Sequence, residues 1–402
     1  MLSLVNLVAS LRYLIVGSYQ ALSGIVSYVY ALNPRVQNGL SQSSSTTTSR
    51  DPETNTKNRS TVMATSNLAM GEGLEIKVTK LLVHPIKSCR GISLSESNVT
   101  SEGLLYDRQY VIVDAASHKF ITAREIPKLV LIETAIEAGE TPLLLVSFPP
   151  ESGIPSFKTC LTPSSETLDD WELISDLEIW HDKDLDAYVA QSSSSDSTAS
   201  PSEILSSYLD REVLLVLKGP KRRAACPTAS HPDLDVGYRF QDEFPLLIAT
   251  TESLAAVQEK VRLSAAGAEG WKVGGITSQW ENDELVIERF RPNIVLSGSP
   301  APFDEDYWGD IQIGEESSRS LVLSLVGRCG RCLLPNTNPT TGVRDKAVPF
   351  KVISKFRKVE PKKTPCFGVT AVVQSSGILK VGDSVKVLNV LERETFEAQA
   401  SG

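Results

Sequence analysis

Cysteine is scarce here. Six residues in 402 are scattered as Cys89, Cys160, Cys226, Cys329, Cys332 and Cys366. That excludes a secreted scaffold stapled by disulfides and points to a reducing compartment. Neither sign of charge is in large excess: 49 Asp and Glu face 40 Lys and Arg, a formal balance of −9. A mildly acidic chain of this kind does not favour general nucleic-acid binding, although a local basic pocket is compatible with it. Long apolar runs are missing apart from one, so a polytopic membrane protein is excluded. No internal repeat is visible. What is present is ordinary: 41% apolar and 22% charged residues exclude disorder, collagen and coiled coil as whole-chain readings. The length suffices for two or three domains with cores of their own.

The one apolar run is YLIVGSYQALSGIVSYVYAL, Tyr13 to Leu32, flanked by Arg12 and Arg35. As a helix it spans about 30 Å, one hydrocarbon thickness. Residues 1–35 therefore read as a membrane anchor or targeting segment, with a secretory signal peptide and an amphipathic organelle-targeting segment as rivals. Residues 36–73, which contain SQSSSTTTS, read as a flexible Ser/Thr-rich tether. A second polar insert, SSSSDSTASPS, marks a boundary. It gives folded domains over 74–200 and 201–394 and a tail over 395–402.

Ile76 and Val78 alternate as in a strand. RQYVIVD and KFITA, joined by AASH, read as a hairpin, and LLLVSF and LEIWH as further strands. Ser202 is placed to cap a helix, SEILSSYLDR, with the strand VLLVLK after it. TESLAAVQEKVRL is the clearest helix: Thr251 is its expected N-cap, and Leu254, Val257 and Val261 recur at helical spacing. IVLSG, SLVLSLVG and GILKVGDSVKVL follow, and in the last of these Val381-Gly382-Asp383 supplies a turn. Many short strands with few helices favour barrels or sandwiches over a doubly wound sheet.

GRCGRCLLPNTNPTTG, Gly327 to Gly342, holds the only Cys-x-x-Cys. Such a pair is half a zinc site, a redox disulfide or a source of one metal-thiolate ligand. Zinc needs two more ligands, but there is no second Cys-x-x-Cys, and His84, His118, His181 and His231 are scattered. A thioredoxin-like pair opens a helix, whereas a Pro/Asn/Thr/Gly turn follows here. A single thiolate beside Arg328 and Arg331 would have a lowered pKa and suit a soft metal. A purely structural pair stays open as the alternative.

These residues resemble the molybdenum cofactor-binding MOSC superfamily, specifically the mitochondrial amidoxime-reducing component family. The resemblance runs from about Ile76 to Val390. It is carried by VHPIKSCRGI with LLYDRQYVIVD, then FITAREIPKL, RFRPNIVLSG, RCLLPNTNPTTG, and CFG with GILKVGDSV. It implies an α+β, β-rich fold: a MOSC-type N-terminal β-barrel domain followed by a MOSC β-barrel domain. It implies a molybdenum-molybdopterin cofactor with Cys332 as the metal ligand and catalytic residue, and Cys329 as a structural or supporting neighbour. By motif position, Lys87, Ser88, Arg124, Arg291 and Asn293 hold the cofactor's phosphate and pterin edge, and Arg and Lys are the side chains suited to an enclosed phosphate. The sequence departs from the family at Asp242-Glu243-Phe244-Pro245, where small or hydroxyl residues are usual. Asp242 is kept as a cofactor-binding candidate, and Glu243 and Phe244 are not.

The resemblance further implies a reductase of amidoximes, hydroxylamines and N-oxides. Its electrons come from cytochrome b5 and the NADH-dependent cytochrome b5 reductase, and it sits on the mitochondrial outer membrane facing the cytosol. Two alternatives carry the same residues: a molybdenum cofactor sulfurase-like protein, for which the chain lacks a pyridoxal-phosphate-dependent region, and a non-catalytic cofactor carrier. Three smaller expectations complete the reading. The KGPKRR segment, Lys218 to Arg223, is a solvated basic loop. Trp180, Trp271, Trp280 and Trp308 are core or anchoring residues. His84 ends a strand with its ring satisfied.

Overall fold

The computed structural model describes residues 75–193, 199–228, 230–314, 320–359 and 363–391. The expected anchor, tether and tail lie outside the described residues. Among the described residues no helix is long and apolar enough to cross a membrane.

Eleven strands carry the architecture: β1 (Ile76–Val83), β2 (Tyr110–Asp114), β3 (Leu173–Ile179), β4 (Asp182–Val189), β5 (Val213–Lys218), β6 (Leu246–Thr250), β7 (Ile294–Ser297), β8 (Asp310–Ile313), β9 (Leu321–Gly330), β10 (Thr364–Val373) and β11 (Ser384–Val387). The main helices are α1 (Pro201–Leu209), α2 (Thr251–Ala265) and α3 (Phe350–Phe356).

Seven strands close on themselves in the order β6-β7-β1-β11-β8-β9-β10, and β10 returns to pair with β6. Closure removes the unpaired edges that an open sheet leaves to solvent. Every second residue points inward. Ile76 and Val78 of β1, Ile311 and Ile313 of β8, and Leu321, Leu323 and Leu325 of β9 fill the interior. A register shift between Val78 and Lys80 lets Leu81 and Val83 face inward as well. The outward residues Ala249, Val295 and Phe367 pack beneath α2 and α3 against Val257, Val261, Val352 and Ile353. The barrel thus takes its first strand from the start of the folded chain and the rest from residues 246–387.

A second sheet, in the order β2-β5-β4-β3, lies in the stretch between β1 and β6. Its strand pairing runs across residue 200, because β5 pairs with both β2 and β4. Ile112, Leu144, Val146, Leu205 and Leu215 share the core beneath it.

Several local expectations shift. The cap of α2 is Thr250, whose side chain accepts from Ser253 N, and Thr251 is the first helical residue. The cap of α1 is Ser200, in a capping box with Glu203. Ser202 is instead buried, its Oγ accepting from Leu215 N at 3.1 Å. The return leg of the KFITA hairpin reaches β2 through a single bridge, Val113 to Phe120. The turn at Gly382 forms with φ +98°, but its legs part. Gly377–Lys380 pairs with Glu96–Thr100, while β11 enters the barrel. A turn sequence fixes the reversal, and the apolar face on each side decides which partner is covered.

Candidate functional site

A cavity of about 420 Å³ collects residues from eight separate stretches of chain, five of which carry the residues expected at the site. Lys87 and Ser88 enter on the turn after β1, where Lys87 N donates to Tyr110 O at 2.8 Å and Cys89 N to Ile86 O at 3.2 Å. Arg124 sits on the turn after Ile121. Asp242 precedes β6. Arg291 ends a 3-10 helix, Ile287–Phe290, in a left-handed conformation just before β7. Cys332 follows β9. The seven residues expected at the site all line this one cavity: Lys87, Ser88, Arg124, Asp242, Arg291, Asn293 and Cys332.

Strain gathers there. Of the ten non-glycine residues with positive φ among the described residues, four line the cavity: Ser88 at 72°, Arg108 at 47°, Trp180 at 55° and Arg291 at 58°. Such conformations persist only where the surrounding structure over-determines them.

The walls are cationic. Lys87, Arg108, Arg124, Arg291 and Arg331 face the carboxylates of Asp242 and Glu243, five positive groups against two negative. Lys87 is 6% exposed, and its ammonium donates to Phe240 O at 2.7 Å and Asp242 Oδ1 at 2.5 Å. Burial pulls it down to about 8, against the attraction of Asp242. Burial likewise brings Arg291 down to about 9, with Arg108 adding repulsion. Arg291 donates through Nη1 to Cys89 O at 2.7 Å, while its buried Nη2 has no partner. Arg108 grips Asp107 through both carboxylate oxygens at 2.7 Å. Burial opposes the Asp107 charge, but Arg108 and His84 outweigh it and hold that carboxyl well below the usual range.

Asp242 keeps 66% of its side-chain area open to the cavity while its Oδ1 takes hydrogen bonds from Lys87 and from Trp180 Nε1, the latter at 3.1 Å. Enclosure works against its charge, and Lys87, Trp180 and Arg124 overcome that and hold it well below the usual carboxylate range. Arg124 stacks over the Trp180 ring at 4.3 Å. Asn293 is committed to the backbone: its Nδ2 donates to Leu82 O at 3.2 Å and its Oδ1 accepts from Leu247 N at 3.1 Å.

The cysteines separate by environment. Cys332 is exposed at the cavity, with Leu334 N donating toward its Sγ at 3.5 Å. Cys329 also lines the cavity, its sulfur accepting from Arg331 Nη1 at 3.0 Å. Cys89 is fully buried, and burial pushes its thiol up to about 12, so it is inert despite its place in the KSC motif. All six cysteines are free. Among the described residues no group of three or more His, Cys, Asp or Glu converges as a metal cage, so the zinc reading finds no further ligands.

Three expectations are corrected. Arg328 is not beside the Cys332 thiolate: β-strand alternation turns it to the other face, where its Nε pairs with buried Asp306 at 3.0 Å. His84 is buried, but its Nδ1 stands 3.7 Å from Asp107 and makes no hydrogen bond. The basic loop is not simply solvated, since Arg223 is 1% exposed and donates to Asp182 and to Arg239 O. Sequence reasoning also missed Arg108 and Trp180. Arg108 sits in the quoted LLYDRQY motif, which was a usable signal. Trp180 had none, because it reaches the cavity only through the turn between β3 and β4.

Two family models match the chain: the MOSC N-terminal beta barrel domain over residues 75–188 and the MOSC domain over residues 235–386. The chain belongs to the MOSC superfamily. Within that frame the cavity is shared. Lys87, Ser88, Arg124 and Trp180 come from the MOSC N-terminal domain, and Asp242, Arg291, Asn293 and Cys332 from the MOSC domain. The chain is similar to mitochondrial amidoxime reducing component 2 of Macaca fascicularis, at 29% identity over 77% of this chain and 82% of the relative. It is similar to the human component 2 at 28% with the same coverage, and to mitochondrial amidoxime-reducing component 1 of Danio rerio at 29%, over 77% of this chain and 83% of the relative. Among solved structures, the YUAD protein from Bacillus subtilis aligns over 78% of this chain and 94% of its own at 11% identity, with a TM-score of 0.29.

Proposed function

We propose that this MOSC protein is a molybdenum-cofactor-dependent reductase of N-hydroxylated compounds. Its substrates are amidoximes, hydroxylamines and N-oxides, and its electrons come from cytochrome b5 and the NADH-dependent cytochrome b5 reductase. The observation that carries the reading is an exposed thiol, Cys332, opening into a cavity with five cations against two carboxylates. An enclosed phosphate needs such neutralisation. The partnerless buried Nη2 of Arg291 is a donor awaiting an anion. The names of the related proteins, amidoxime reducing components, support the amidoxime part of this reading.

Lys87, Ser88, Arg124, Arg291 and Asn293 would hold the pterin and its phosphate, and Cys332 the metal. Bound there, the cofactor supplies two-electron oxygen-atom transfer, which with two protons releases the substrate oxygen as water. Arg291 and Arg331 would bind the phosphate through their unpartnered guanidinium N–H groups. Arg331 is itself aimed by its Nη2 bond to Phe290 O at 2.7 Å. Leu334 and Phe290 give the wall an apolar part that excludes water from one side. Residues 1–35 anchor the chain in the mitochondrial outer membrane with the body in the cytosol. A fluorescent fusion of residues 1–66 tests that placement.

Purified chain loaded with the cofactor reduces benzamidoxime when supplied with cytochrome b5, its reductase and NADH. Cys332→Ala abolishes turnover and leaves the unfolding free energy from urea titration within about 0.5 kcal/mol, because an exposed thiol packs against little. Full activity in that variant sinks the ligand assignment. A loaded preparation that stays inactive while a related enzyme works under the same conditions sinks the reductase.

A further inference from the structure

The cavity contains a carboxylate where an anion-binding site is expected to hold none. Asp242 Oδ1 lies 2.5 Å from Lys87 Nζ, and that ammonium also donates to Phe240 O at 2.7 Å. Two of the three ammonium hydrogens are thereby engaged. A phosphate oxygen approaching Lys87 meets the Asp242 carboxylate at close range, and like charges this near repel strongly in a partly enclosed site. Asp242 is not loosely placed. Trp180 Nε1 donates to the same oxygen at 3.1 Å, and Arg124 covers the Trp180 ring at 4.3 Å. The chain Arg124–Trp180–Asp242–Lys87 thus links three expected cofactor residues through an indole whose position no sequence pattern signals. On the same wall, Arg291 Nη2 and Arg331 Nε are buried without hydrogen-bond partners. The cavity therefore has one cation, Lys87, already paired with a carboxylate, and two guanidiniums, Arg291 and Arg331, that each keep one buried N–H without a partner.

We propose that Asp242 is a resident counter-anion that selects against small free phosphate at Lys87 and leaves the site to a phosphorylated ligand anchored by further contacts. This deepens the reading of the cavity as a cofactor-phosphate site and rests on it. The carboxylate stabilises a buried ammonium whose other partner is the neutral carbonyl of Phe240. A ligand held elsewhere displaces or shares the pair. A lone phosphate gains too little to do so.

The test uses the full chain and inorganic phosphate, with ionic strength held constant by chloride. Phosphate affinity is read by calorimetry and by phosphate-dependent melting. Asp242→Asn melts below wild type without phosphate, because Lys87 loses its partner. It binds phosphate about ten-fold more tightly, the effect of freeing one charged hydrogen-bonding group. Adding Lys87→Met to that variant removes the gain. Equal or weaker phosphate affinity in Asp242→Asn overturns the proposal, as does a gain that survives Lys87→Met. If Asp242→Asn does not fold, Asp242→Ser carries the same expectation. If neither folds even in phosphate, the carboxylate is purely structural and the proposal fails. Phosphate binding requires no metal, so a chain that passes this test yet reduces no benzamidoxime separates this inference from the reductase reading.

Discussion

Asn293 braces β1 to β6 from the threshold of β7. Its amide donates to Leu82 O and accepts from Leu247 N, while its own backbone accepts from Leu82 N at 2.9 Å and donates to Leu247 O at 2.7 Å. Losing the side chain strands one buried and one half-buried backbone group, each of which costs about 1–3 kcal/mol, the half-buried one toward the lower end. Asn293→Ala should therefore lower unfolding free energy by about 2–4 kcal/mol in urea titration; a loss under 1 kcal/mol would show that water replaces the amide. The sequence placed Asn293 at the cavity through its neighbour Arg291, and it does line the wall. Its bracing role was invisible, because its partners lie 211 and 46 residues away.

At the scale of an element, the loop bearing Cys332 has almost no regular structure, yet it is harnessed from three sides. Arg344 Nη2 donates to Ala123 O at 3.0 Å and to Arg124 O at 2.6 Å, tying the loop to the Arg124 turn. Arg289 Nη1 donates to Pro335 O at 3.2 Å and Asn336 O at 3.1 Å. Asn336 Oδ1 in turn accepts from Phe350 N at the start of α3, at 3.0 Å. Arg344→Met removes the first tether alone. Amide exchange over residues 331–342 should quicken, and global stability should fall by about 1–2 kcal/mol. Unchanged exchange would mean that the other tethers suffice. The loop's motif was legible as chemistry but not as geometry, since its shape comes from arginines that read as ordinary surface charge.

At the scale of the whole molecule, the side of the barrel beneath α2 carries a buried acid unrelated to the cavity. Glu305 accepts from Ser253 Oγ at 2.7 Å and Thr250 Oγ1 at 3.2 Å, next to Asp306, which pairs with Arg328 and Arg357. Burial, with Asp306 adding repulsion, raises the Glu305 carboxyl from 4.5 to about 7 against the two hydroxyl bonds. The folded state thus holds this proton more tightly than the unfolded chain. Its contribution is full below about pH 4.5 and is lost as pH rises through about 7. Glu305→Gln keeps the shape without the charge. Relative to wild type, it should gain up to about 3 kcal/mol across that window, read as the pH dependence of urea midpoints. Parallel curves for the two proteins would place the acid in a wetter environment than the barrel wall provides.

Sequence by itself determined the inventory. Alternating apolar residues dictated strands, because only one face of each could be covered. A motif of cysteine, arginine and turn residues named the chemistry of the loop after β9. Tertiary structure decided partners and directions. It split the Gly377–Val387 hairpin between two sheets, turned Arg328 away from Cys332 toward Asp306, and brought Trp180 from a hairpin tip to Asp242. The physical reason is reach. Periodicity and capping act over a few residues, whereas closing a seven-stranded barrel joins residues hundreds of positions apart. Which face of each strand meets which neighbour is fixed only when the last seam, β10 to β6, is sealed.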